Sequence, residues 1–391
     1  MENLLKRNTI MFNRKVVFWS ACAGMLLFGI CIITLGSVVA DLRQKFDLSE
    51  ASVGALFSLL PVGIIAGSVL FGPIVDRNGY KLLLAISALV MSAGFFGIAF
   101  ASSSLALKIF IFLVGFGGGS INGATNALVA DISESEKGAN ISLLGVFYGV
   151  GALGMPLILG LLRHSFNFEF IIGCVGVLTI LTSTFYLIIK FPLPKHTEKL
   201  PLKQTLKLVG NGSLLLIAFF LFFQSGFEGI INNWTTTYMV DKFSIEQSKA
   251  LYALTIFVGG FVAMRLLIGS IFRKFTSLKL LIMSFSLIVT GLILLKFSGS
   301  YNISITGLIA LGAGMSVGFP VMLGIAGTLF SEISGTAFSI ILFIALAGNT
   351  IINYTMGIIA QQLGVSHLIT LAFVAVIFMI LLSVVMLKKI K

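Results

Sequence analysis

Charge is what this sequence has least of. Of its 391 residues only 10% are Asp, Glu, Lys or Arg, and just 14 are acidic. A soluble protein of that length cannot cover its surface with so few charges. A content of 58% hydrophobic residues and a mean hydropathy of +1.09 also exceed what a water-facing fold can hide. The bilayer is therefore part of the solvent. Cysteine is equally scarce: Cys22, Cys31 and Cys174 fall inside apolar runs without metal-ligand spacing, so they read as packing. The three histidines, His164, His196 and His367, stand in loops or at run ends, again without metal spacing. There is no nucleophile–base set, so no enzyme, cofactor or metal site is expected. The glycines of "GVGFGGGSINGAT" mimic a nucleotide loop, but no strand precedes them and small residues let helices pack closely.

What is present is a series of twelve apolar runs long enough to cross a bilayer. They cover 16–40, 51–73, 81–101, 105–130, 139–162, 168–190, 213–240, 249–272, 278–298, 301–328, 334–362 and 366–387. Backbone groups in lipid must bond internally, and the runs lack barrel-like alternation, so each is a helix. The start, "MENLLKRNTIMFNRK", resembles a signal peptide with "ACAG" as a cleavage site; the apolar run continues to Ala40, which makes it an uncleaved first span. Net charge is +12, and its placement matters more than its size. With a cytoplasmic N-terminus, 18 of the 26 Lys and Arg fall in inside segments and seven in outside loops. That bias predicts a multi-pass protein of the cell inner membrane with both termini cytoplasmic, not a nucleic-acid binder.

Between the sixth and seventh spans lies "KFPLPKHTEKLPLKQTLKLVGNG", with Pro192, Pro194 and Pro201 and a row of lysines, Lys199, Lys203 and Lys207, at four-residue spacing. It reads as a basic cytoplasmic linker over 191–212, one face lying on the membrane surface. It joins a six-helix half over 1–190 to a second over 213–391. The halves look like copies at one offset of 197 residues, which relates Gly72 to Gly269, Gly115 to Gly312, Gly117 to Gly314, Gly138 to Gly335 and Ser142 to Ser339. The expected fold is an all-α polytopic membrane protein, twelve transmembrane helices in two six-helix parallel repeats with a site near mid-membrane.

After the second span, "GPIVDRNGYK" resembles the signature loop of the major facilitator superfamily. Gly72, Asp76, Arg77, Gly79 and Lys81 match, while Tyr80 stands where a basic residue is usual. The resemblance covers the whole chain and implies the major facilitator fold, with this loop as a conformational latch rather than a solute contact. Three further stretches resemble the fucose permease group of sugar–proton symporters: "GFGGGSINGATNALVADIS", "SGFEGIINNW" and "GFPVMLGIAGTLFSEISGTAFS". Asn122 replaces that group's acid four residues before Asn126, and its first-helix acid has no counterpart, Asp41 lying near the outer end of span one. Proton coupling is thus not inherited from those positions.

Glu228 lies about 22 Å into a core of about 30 Å. An ionised carboxylate there costs several kcal/mol unless paired, hydrated or protonated, which makes Glu228 the candidate proton-coupling residue, with a structural hydrogen bond as the alternative. Arg265 in "GGFVAMRLLIG" is expected about 12 Å nearer the cytoplasm, as a structural or anion-binding group without a direct ion pair to Glu228. Asn122 with Asn126, and Asn349 with Asn353, share helix faces at four-residue spacing. Their amides suit a hydroxylated solute or bonds between helices. Asn232 and Trp234 lie further along span seven; the indole is either an interfacial anchor or a face for a sugar ring. Tyr148 is a further contact candidate, and Tyr354 a weaker one. The expected function is proton-coupled symport of a small polar solute, foremost a monosaccharide, by a monomer. The alternative is proton-driven efflux of amphipathic compounds, favoured by the few embedded acids and the 36 phenylalanines.

Overall fold

The computed structural model describes residues 12–133, 137–192, 210–272, 275–330 and 334–390; at several positions within the helices only the backbone is described. All regular structure there is helical. In chain order the helices are α1 (Arg14–Phe46), α2 (Glu50–Asn78), α3 (Tyr80–Phe100), α4 (Ser104–Ile132), α5 (Lys137–Leu162) and α6 (Phe168–Ile188). There follow α7 (Gly212–Phe243), α8 (Gln247–Ser270), α9 (Ser277–Phe297), α10 (Tyr301–Met315), α11 (Gly318–Leu329), α12 (Ser334–Leu363) and α13 (Leu368–Ile390). Twelve spans are long and apolar enough to cross a membrane, α10 and α11 together making the tenth. Most of linker 191–212, including its four lysines and His196, lies outside the described residues.

Polar residues at the run ends start the helices. Ser103 accepts from Ala106 N at the head of α4, Asn211 from Ser213 N and Leu214 N at the head of α7, and Thr276 from Lys279 N at the head of α9. Between α2 and α3 the turn is a single residue, Gly79, at φ 75°, where any side chain would be strained. Its N–H donates to Val75 O at 2.8 Å. This is the centre of the latch sequence. The side chains of Gly72, Asp76 and Arg77 lie outside the described residues. Lys81 is half-buried, and the departing Tyr80 donates its hydroxyl to Asp131 of α4 at 2.8 Å.

The tenth span, expected unbroken, is interrupted at Ser316–Val317. Pro320 has no N–H to offer, and the first turn of α11 is where that is tolerated. The carbonyls left at the end of α10 are all accounted for. Gly312 O accepts from Ser316 N, Ala313 O from Ser316 Oγ at 2.9 Å, Gly314 O from Ser284 Oγ at 2.6 Å, and Met315 O from Gln224 Nε2 at 3.0 Å. A break inside a membrane requires that bookkeeping.

The offset of 197 residues reappears in three dimensions. A Cβ on Gly94 of α3 would strike the Phe110 carbonyl and Val114 of α4; one on Gly291 of α9 would strike the Gly307 carbonyl and Leu311 of α10. Gly117 lies on the Ser87 carbonyl and Gly314 on the Ser284 carbonyl. Gly63 lies on the Phe112 carbonyl and Gly260 on that of Ile309. Every residue in the second set is 197 positions after its partner in the first. The chain is thus two copies of one helical arrangement.

The residues group into two compact units. The first comprises Met1–Cys31, Gly63–Gly151 and Glu169–Glu198; the second comprises Ile32–Val62, Ala152–Phe168 and Lys199–Lys391. The second therefore contains the later part of α1 and the earlier part of α2 as well as α7 to α13.

Candidate functional site

Glu228 belongs to the second unit, in the middle of α7. One turn before it, Gln224 reaches the α10 carbonyl of Met315; one turn after it, the Asn232 carbonyl lies where a Cβ on Gly36 of α1 would be. At 100° per residue Glu228 shares its face with the buried residues Leu221, Gln224, Ile231 and Thr235, and lies opposite the exposed Phe219. The carboxylate is therefore on the interior face of the helix, where it is only partly buried. It makes no hydrogen bond and no ion pair among the described residues.

Arg265 stands on the neighbouring helix α8, which packs against α7. The expected axial separation of about 12 Å does not hold when both helices are measured from the turn they share, where α7 ends at Phe243 and α8 begins at Gln247. Measured from that turn, Glu228 is about 22 Å and Arg265 about 27 Å along their helices, so the two stand within about 5 Å of one level. The Arg265 guanidinium lies over the Phe261 ring, 4.8 Å from its centroid, and its Nε is buried without an acceptor among the described residues. Arg265 is half-buried there, with its cation against that ring.

The asparagine pairs differ in their use. In α12, Asn349 donates to Ser225 O of α7 at 2.8 Å, and Asn353 donates back to Asn349 O and Oδ1, both at 2.9 Å. Asn233 of α7 donates to Asn353 Oδ1 at 3.0 Å. Gly229 opens the space, since a Cβ there would collide with both asparagine side chains. These amides join α7 to α12 beside Glu228. In the first unit, Asn126 donates to Asn122 O at 2.8 Å and to its Oδ1 at 3.1 Å within α4, and reaches Met25 Sδ of α1 at 4.0 Å. Tyr148 of α5 packs on Phe28 of α1, ring centroids 5.8 Å apart.

The sequence pattern of the Major Facilitator Superfamily matches residues 21–342. The chain belongs to that family. Its relatives are distant: the sodium-dependent glucose transporter 1 of Xenopus laevis is 24% identical over 74% of this chain and 65% of its own length. A probable nitrate transporter, NarT, of Staphylococcus epidermidis is 24% identical over 89% of both chains. Among solved structures the nucleoside transporter NupG superposes with a TM-score of 0.79 at 14% identity, covering 97% of this chain and all of the other. It is a transporter fold, and the family is one of carriers rather than enzymes.

Within this major facilitator, several features had no sequence signal. Asp41 of α1 is held by Arg163, the residue just after α5, through two bonds of 3.0 and 2.6 Å, and Gln247 of α8 adds a third at 3.4 Å. Arg43 pairs with Glu50 of α2. Thr236 donates to Gly36 O at 2.8 Å, Gly54 of α2 touches Gly357 of α12, and Ser58 donates to Thr350 O at 2.9 Å. Together these seal the end of the second unit at which α1 meets α2. A cavity of about 430 Å³ lies among them, lined by Arg43, Asp47, Glu50, Thr236 and Gln247 among others, and it includes none of the solute-contact candidates. Trp234 is not an interfacial anchor. It is fully buried, edge-on to Phe57 at 5.4 Å, with its Nε1 lacking an acceptor among the described residues. Asn232 is buried beside it, whereas Tyr354 is exposed.

Proposed function

We propose that this major facilitator is a proton-coupled symporter of a small polar solute, foremost a monosaccharide, with Glu228 as the group that takes and releases the proton. It sits in the cell inner membrane with both termini cytoplasmic, as the lysine and arginine bias favours, and acts as a monomer. The observation that carries the reading is Glu228 itself: a carboxylate at mid-span, on the interior face of α7, with no hydrogen-bonding partner among the described residues. A structural acid would be tied to a neighbouring helix; an untied one is free to change protonation as its surroundings open. The name of the similar frog protein, a sodium-dependent glucose transporter, favours a sugar as solute.

The test is transport by the purified protein in liposomes with an inward proton gradient. Labelled hexose should accumulate, sodium should not replace the gradient, and Glu228→Gln should keep hexose exchange while losing accumulation. The second reading, efflux of amphipathic compounds, draws on the same lone mid-span acid. It wins if the liposomes instead expel a lipophilic cation against its gradient.

A further inference from the structure

We propose that the solute carries a negative charge, a carboxylate on a small hydroxylated molecule of the sugar-acid class, and that Arg265 receives it. This deepens the preceding reading and rests on Glu228 as its proton-binding group. Three observations converge on Arg265.

The first is the repeat. The positions 197 residues before Glu228 and Arg265 are Cys31 and Ser68. In the first unit those two small side chains serve packing. Cys31 donates to Val114 O at 3.6 Å and lies against Gly118, and Ser68 reaches Gly119 O at 3.4 Å. Both thus point at one turn of α4. The equivalent turn in the second unit is Met315–Ser316, where α10 breaks. The residues one turn before the two charges confirm the register: Gln224 bonds Met315 O, and Phe261 packs against Gly312. The scaffold therefore aims Glu228 and Arg265 at a common place, beside the break.

The second is that this pair is not closed. The same chain makes tight ion pairs where they serve structure, as Asp41–Arg163 shows. Among the described residues, Arg265 has the Phe261 ring and nothing else, and its Nε faces no acceptor. A guanidinium presents Nε and Nη as a planar fork that fits a carboxylate with two parallel bonds. Arg265 is half-buried, with its Nε fully buried and without an acceptor among the described residues, which is costly, and an anionic solute supplies the missing acceptor.

The third is charge balance. With Glu228 ionised, it and Arg265 sum to zero, and an anion arriving on Arg265 would leave one uncompensated negative charge at mid-span. With Glu228 protonated, the pair sums to plus one, and the anion restores neutrality. Proton and anion thus favour each other's binding by the same factor, which couples them without a mechanical device. The other described charged and histidine side chains on α7 and the elements packed against it stand near helix ends. Asp41, Arg43, Lys45, Glu50, Asp241, Lys242, Lys249 and His367 are near the end where α7 turns into α8, Arg14 and Lys15 in the first turn of α1, and Lys388 and Lys389 in the last turn of α13. Of the charged groups described on these elements, Arg265 is the one that stands near the level of Glu228.

The experiment uses the full chain in liposomes with labelled D-glucuronate and D-glucose as probes. An inward proton gradient should accumulate glucuronate at least about tenfold over glucose, the margin that one bidentate charged contact provides. A potassium–valinomycin potential alone should accumulate neither, because one proton and one monoanion move no net charge. Arg265→Lys keeps the charge and loses the fork. It should raise the glucuronate KM about tenfold with kcat little changed, and serves as the folded control should Arg265→Gln fail to fold. Glucose accumulation with glucuronate neither moving nor competing would overturn the proposal and leave the preceding reading intact. Potential-driven uptake of glucuronate would overturn the charge balance. If neither sugar accumulates and tetraphenylphosphonium is expelled, the reading beneath the proposal fails with it.

Discussion

The two repeats of this protein agree in backbone contact and disagree in chemistry. Gly94 and Gly117 meet α4 as Gly291 and Gly314 meet α10, residue for residue. Yet where the first repeat has the packing pair Cys31 and Ser68, the second has Glu228 and Arg265. The α4 turn those small residues touch is continuous helix; its counterpart breaks at Ser316–Val317. Close packing through small residues sets the helix arrangement and tolerates little variation. At equivalent positions of one scaffold, one copy thus carries small side chains and the other a pair of charges.

That contrast can be broken at several points. The largest effect is expected from Glu228→Gln, which should reduce gradient-driven accumulation to simple equilibration while leaving exchange intact, whereas Cys31→Ser should change neither. Next come Gly94→Leu and Gly291→Leu. Each forces two helix backbones apart and should cost about 2–3 kcal/mol, read as matching drops in Tm in detergent; unequal drops would show that the repeats are not energetically equivalent. Asn353→Ala removes the amide that joins α7 to α12 and should cost about 1 kcal/mol. Asn126→Ala, whose amide bonds within α4 and touches α1 only through the distant Met25 sulfur, should stay within about 0.5 kcal/mol. Smallest is Asp41→Asn, which unties Arg163 at a partly exposed pair and should lower stability by about 0.5–1 kcal/mol at low salt. The difference from the parent should shrink in high salt.

Much of this was legible in the residues. The twelve spans lie within a few positions of their expected ends because hydropathy is a local property that each run carries with it. The mid-span placement of Glu228 was readable from the same runs. The level of Arg265 was not, when counted from separate cytoplasmic ends: it is fixed by the short turn that α7 and α8 share, and the end of α7 is set by Ser244 in its left-handed conformation. Nor could spacing tell that Asn349 and Asn353 bond Ser225 and Asn233, or that Trp234 is buried on Phe57. A four-residue interval says which residues share a face but not what that face meets. One signal was available: the 197-residue offset, applied to Glu228 and Arg265, already sets them against Cys31 and Ser68.

The sequence alone determined a twelve-span helical carrier in two copies, because an apolar backbone in lipid has no other way to satisfy its N–H and C=O groups. Tertiary structure decided which polar groups are tied and which are free. Asp41 finds Arg163 across 122 positions of chain, while Glu228 and Arg265 are brought to one level and left open. Such pairings depend on how helices dock, and docking is fixed by close contacts between residues far apart in the chain.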